Sequence, residues 1–80
     1  MTYYAIVDDL SSREKPAGVL RRIEHEDGEH DEAFTRSLEW KRSASLYAYE
    51  RGNADAEFYK ISEDEANQIV ARIRHQATGE

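Results

Sequence analysis

One eighteen-residue stretch, Glu57 to Arg74, constrains the fold more than any other, because strand pattern, cap chemistry and helical period agree within it. Tyr59 and Ile61 share one face of a short extended segment, and Ser62-Glu63-Asp64-Glu65 then places an N-cap serine three residues before a glutamate. In such a capping box the serine oxygen accepts the Glu65 amide while the Glu65 carboxylate reaches back to the amide of Ser62. Three acidic residues in the first turn also suit the positive end of the helix dipole. Ala66, Ile69, Val70, Ile73 and Ala77 recur at spacings of three and four, giving one apolar stripe over three to four turns. A stripe of that kind must cover a sheet, so the chain is expected to be α+β.

The rest of the chain supplies the strands. Tyr3 to Val7 is aromatic and β-branched, with both faces apolar, as befits a strand inside a sheet. Asp8 to Gly18 has loop composition. Val19 to His25 alternates as a second strand with one half-wet face, and Asp27-Gly28 marks a reversal. From Ala33 the alternation of Phe34, Arg36, Leu38 and Trp40 predicts a third strand, with Trp40 anchoring the core. Ser43 can cap a short helix through Arg51 that Gly52 ends in the left-handed conformation, although Tyr47 and Tyr49, two apart, also fit a strand. Gly52 to Asp55 reads as a turn, and the tail frays from about Gln76. The expected architecture is a three- or four-stranded antiparallel sheet, with the C-terminal helix across one face and a short helix before the last strand. Residues 1–80 are expected to make a single domain without repeat or linker.

Size and charge narrow the function. A chain of 80 residues with no cysteine has a small core and neither a disulfide nor a thiolate metal site to reinforce it. Stability then comes from packing alone or from pairing with a second copy. The start of the chain lacks a basic segment followed by an apolar run, and no apolar run approaches the ~20 residues of a membrane helix, so a cytoplasmic location away from membranes is expected. A net charge of −6, from 17 acidic and 11 basic residues, argues against a general binder of phosphate backbones.

Chemistry, if present, would lie at His25-Glu26-Asp27-Gly28-Glu29-His30-Asp31-Glu32, since imidazole and carboxylate are metal ligands. His25, Asp27, His30 and Asp31 are the candidates. Aligning Gly28 with the glycine of a calcium loop puts Ile23 and Phe34 where carboxylates are required, and no His-Glu-x-x-His motif exists. A solvated hairpin tip is therefore favoured over a weak metal site, and no cofactor is expected. Catalysis has less support: Ser11 and Ser12 lack a nucleophile elbow, the glycines at 18, 28, 52 and 79 form no phosphate loop, and His75 suits the C-terminal end of the helix dipole. The five tyrosines point instead to an interaction surface, for which Tyr3, Tyr47, Tyr49, Arg21 and Arg36 are the candidates. The leading reading is a non-enzymatic protein-interaction or regulatory module, able to form a homodimer. A single-stranded nucleic-acid binder, using Arg21, Arg22, Arg36, Lys41 and Arg42 beside the aromatics, is the alternative.

Tyr3-Tyr4-Ala5-Ile6-Val7-Asp8, Gly18-Val19-Leu20-Arg21-Arg22, Asp31-Glu32-Ala33-Phe34-Thr35, Tyr49-Glu50-Arg51-Gly52 and Ile61-Ser62-Glu63 together resemble a family of short uncharacterised actinobacterial proteins. The resemblance covers most of the chain. It implies a self-contained domain and brings no assigned activity, cofactor or catalytic residue.

Overall fold

Val19 and Leu20 are adjacent in one strand and both are fully buried. Successive strand residues point to opposite faces, so the sheet that holds them must be covered on both sides. A computed structural model, which describes residues 1–52 and 56–78, shows how. Strands β1 (Thr2–Val7), β2 (Gly18–His25), β3 (Gly28–Phe34), β4 (Trp40–Arg42) and β5 (Glu57–Ile61) form one antiparallel sheet in the order β4-β3-β2-β1-β5. Helix α2 (Glu63–Ala77) lies on one face, and the short helix α1 (Ser45–Glu50) packs on the other. The fold is α+β as expected, with five strands rather than three or four.

The extra strand arises where alternation misleads. Residues 33–41 read as one continuous strand, yet β3 ends at Phe34 and the chain turns, with the Leu38 amide bonded to the Thr35 carbonyl at 3.0 Å. Leu38 holds φ at 63°, the left-handed region that branched side chains rarely enter. Beyond the turn Trp40 pairs with Phe34 and starts β4. Phe34, fully buried, fills the core position expected of Trp40, while Trp40 is half-buried with its ring centroid 5.4 Å from that of Phe34.

Register divides the core in two. On the α2 side, Ala5, Val19 and Phe34 lie opposite one another across β1, β2 and β3, and Ala66 and Ile73 of α2 complete the buried set. On the α1 side, Leu20, Leu46 and Phe58 form a cluster with Tyr4 and Ile6 packed against it. Ile69 and Val70 of the expected stripe are half-buried, and Ala77 is exposed. Gly18 is obligatory at the start of β2, because a Cβ there would stand 2.5 Å from the Phe34 carbonyl oxygen. The Asp8 to Ala17 loop is tied back by Arg72 of α2, whose Nη2 donates to the Pro16 carbonyl at 2.5 Å, and by the Ala17 amide on the Ile6 carbonyl at 2.8 Å.

The caps follow the sequence closely at one helix and loosely at the other. Ser62 accepts the Glu65 amide at 3.1 Å and the Glu65 carboxylate accepts the Ser62 amide at 3.2 Å, a complete capping box. Helix α1 confirms helix over strand for residues 45–50, but Ala44 rather than Ser43 occupies its N-cap. Gly52 takes φ 80° and its amide closes on the Tyr49 carbonyl at 2.9 Å, as expected of a terminating glycine. The rest of the turn expected at Gly52 to Asp55 lies outside the described residues, as do the last two of the tail; α2 itself continues through Ala77. No described helix is long and apolar enough to cross a membrane.

Replacing Ser62 with alanine removes one half of the box and is expected to destabilise the protein by about 1 kcal/mol. Chemical denaturation checks this, and a variant as stable as the parent would show that the box contributes nothing.

Candidate functional site

Beyond the core, the β2–β3 hairpin continues as a ladder of polar residues. Its register is set by the turn at Glu26-Asp27, after which Gly28 takes the positive φ, at 130°. From there the pairs run His25 with Gly28, Glu24 with Glu29, Ile23 with His30, Arg22 with Asp31 and Arg21 with Glu32. Three of the six acidic residues between Glu24 and Glu32, a stretch that reads in the sequence as a solvated tip, therefore lie in β3: Glu29, Asp31 and Glu32.

Two of these pairs are ionic, one on each face. On the α1 face, Arg22 grips Asp31 with a fork, Nε to Oδ1 at 2.8 Å and Nη2 to Oδ2 at 2.9 Å. Asp31 is the one buried charged residue among those described. The same guanidinium reaches Glu50 of α1 at 3.3 and 3.4 Å and Glu29 at 3.7 Å. Glu24 and Glu29 stand directly opposite, a repulsive arrangement that the Arg22 charge offsets. Its hydrogen bonds to Asp31 above all, and next those to Glu50, hold the Arg22 guanidinium above even its ordinary range against the opposing effect of burial. On the α2 face, Arg21 Nε and Nη2 both donate to Glu32 Oε1, at 2.8 and 2.6 Å, while its Cζ lies 3.9 Å from the Trp40 ring centroid. The hydrogen bonds from Arg21 lower the Glu32 carboxyl below its usual value.

Of the metal candidates, the structure brings two together and separates the others. His25 and His30 lie diagonally across the hairpin on the α2 face, with His25 Nε2 and His30 Nδ1 3.1 Å apart. His30 Nε2 stands 3.6 Å from Glu32 Oε2. Asp31 points to the other face and is taken by Arg22, and Asp27 sits in the turn. Among the described residues there is no group of three or more histidine, cysteine or carboxylate side chains placed to hold a metal ion.

The five residues proposed as an interaction surface do not form one surface. Tyr3 and Arg21 are opposite neighbours on the α2 face, both half-buried, and Arg36 is exposed in the turn before β4. Tyr47 and Tyr49 are exposed on α1, at 55% and 40%. Tyr49 packs against Phe58 of β5 in a tilted arrangement with centroids 5.3 Å apart, and Arg51 stands 5.0 Å from the Tyr47 ring. A cleft of about 380 Å³ separates α1 from β3, lined by Arg22, Glu29, Asp31, Arg42, Ser43 and Tyr47 among others. Its two carboxylates are both within reach of Arg22, which leaves neither as a free acid or base. The sequence reading missed the Arg22 cluster, whose signal was the register: once the reversal falls at Glu26-Asp27, residue 22 must face residue 31.

No family model, no curated protein and no solved structure matches this chain.

Because Arg21 lowers the Glu32 carboxyl, the pair contributes stability in full above the ordinary value of 4.5 and loses it as pH falls through the lower folded value. Glu32→Gln should therefore flatten the acid side of the stability profile. Thermal melts from pH 7 to pH 2 check this, and a variant with the same loss of melting temperature as the parent below pH 4.5 would contradict it.

Proposed function

We propose that this protein is a non-enzymatic interaction module that pairs with a protein partner, a second copy of itself in the simplest case, along the outer edge of β5. The observation that carries this reading is the position of β5. It ends the sheet and has one hydrogen-bonded neighbour, β1, among the described residues. The outward amides and carbonyls of such a strand are a template for another strand. Aromatic rings flank it on both faces: Tyr49 against Phe58 on the α1 side, and Tyr59, covered by Arg13 at 4.4 Å, on the α2 side. Tyrosine suits an interface that is dry at one end and wet at the other. A groove of about 550 Å³ lies where β1 begins and β5 ends, between Met1, Tyr3, Lys60 and Ile61.

Two-fold symmetry then selects a register. Antiparallel pairing of β5 with its copy brings residues of like face opposite, and the register that uses all five residues centres on Tyr59, with Phe58 facing Lys60 and Glu57 facing Ile61 of the copy. Tyr59 already donates its hydroxyl to Glu57 on its own strand, which raises its phenol above the ordinary value.

The nucleic-acid alternative has weaker support. Of its five cations Arg21 and Arg22 are committed to Glu32, Asp31 and Glu50, and a platform for single strands needs its charges free for phosphate.

Sedimentation equilibrium at tens of micromolar, in about 0.15 M salt to screen the charge, should give a mass near twice 9.3 kDa. Tyr59→Asp, which sets two like charges opposite each other at the centre of the ladder, should return the monomer. A single 9.3 kDa species for the parent chain would remove the self-pairing.

A further inference from the structure

We propose that His25 and His30 form a binding site for a borderline divalent transition-metal ion, of the class of Zn(II), Ni(II) and Cu(II). The inference is independent of how the β5 edge is used. Two imidazole nitrogens that share one metal ion at about 2.0–2.1 Å stand roughly 2.9 to 3.4 Å apart, for angles between square and tetrahedral. His25 Nε2 and His30 Nδ1 are 3.1 Å apart, with ring centroids 5.3 Å apart and planes at 43°. Both rings project from one face of a two-stranded ladder whose register fixes their spacing. A rotation of the exposed His25 ring and of the half-buried His30 ring turns the two lone pairs from each other toward a common point at the surface. Neutral imidazole selects this class of metal over calcium and magnesium, which require oxygen ligands.

The neighbours of His30 prepare it for this role. A metal-binding histidine characteristically directs its other ring nitrogen at a carboxylate, which fixes the tautomer and raises ligand basicity. Glu32 Oε2 stands 3.6 Å from His30 Nε2, so the carboxylate favours the proton on Nε2 and leaves Nδ1 as a lone pair. Glu32 is itself held by the two Arg21 donors through its other oxygen, and Arg21 stands over the Trp40 ring. A chain of contacts thus runs from Trp40 in β4 through Arg21 and Glu32 to the two imidazoles. When His25 Nε2 is the donor to His30 Nδ1, metal binding requires that proton to shift to His25 Nδ1, so that both facing nitrogens bond the metal. Water, or a ligand from a partner, fills the remaining positions.

The test is calorimetric titration of the full chain with zinc chloride and, separately, nickel chloride. Two ligands of the four in a structural zinc site give a Kd on the order of 10–100 µM, with one ion per chain. His25→Ala and His30→Ala should each weaken binding more than tenfold, and Glu32→Gln about tenfold through the lost carboxylate. His75→Ala, on α2, should leave it unchanged. Circular dichroism of each variant checks that the fold is retained. Paramagnetic broadening by Ni(II) should centre on the ring protons of His25 and His30. No saturable binding below about 1 mM, or binding that His25→Ala and His30→Ala leave at the parent value, would overturn the proposal.

Discussion

Three elements of this small protein meet at the guanidinium of Arg22. Its fork to Asp31 ties β2 to β3, its contact with Glu50 ties α1 to the sheet, and its charge offsets the facing pair Glu24 and Glu29. A charge pair this shielded from water loses hydration that its own attraction barely restores, so its value lies less in gross stability than in forbidding other arrangements. A register shift of one residue would take Asp31 away from Arg22 and reverse the faces of the whole strand. The hairpin carries six acidic residues between Glu24 and Glu32, and Arg22 and Arg21, one per face, make that density compatible with a ladder.

Placing α1 on the sheet has consequences for the core. Leu20 is fully buried only because Leu46 of α1 and Phe58 of β5 cover the face that α2 does not. An 80-residue chain without cysteine thereby obtains two thin apolar layers, Ala5, Val19 and Phe34 under α2 and Leu20, Leu46 and Phe58 under α1. The sheet keeps its two ends, β4 and β5, and Tyr49 of α1 packs beside the second of them. Structure and proposed use are connected at that point, since the helix that closes the core also furnishes the aromatic border of the β5 edge.

How far this was legible in the sequence varies with the range of the interaction. The box at Ser62 and Glu65, the strand before it and the apolar positions Ala66 and Ile73 are local, and they were readable because each signal lies within a few residues of its partner. Gly52 likewise announced the end of α1. The start of β3 is hidden because charge density is ordinarily a sign of solvent: Glu29 to Glu32 looks like a loop until the cross-strand arginines are set opposite. Alternation then ran on through Leu38, whose left-handed backbone no residue-type preference foretells. The convergence of His25 and His30 was hidden by a five-residue separation that suits no helical or loop motif, although it is the diagonal of a hairpin with a two-residue turn. Conversely, Tyr3, Tyr47, Tyr49, Arg21 and Arg36 share a chemistry without sharing a face, and residue type alone could not separate them.

The central claim is that the Arg22–Asp31 pair specifies the arrangement of the hairpin and α1, and a double-mutant cycle measures it most directly. Denaturation free energies are needed for the parent, Arg22→Met, Asp31→Leu and the double variant. Each single change strands a charge that the fold shields and should destabilise by about 3 kcal/mol, whereas the double change leaves two apolar side chains and should recover much of that loss. The expected coupling is about 2 kcal/mol or more. Additive losses, with a coupling below about 0.5 kcal/mol, would mean that Arg22 and Asp31 act separately and that the fold does not depend on their contact.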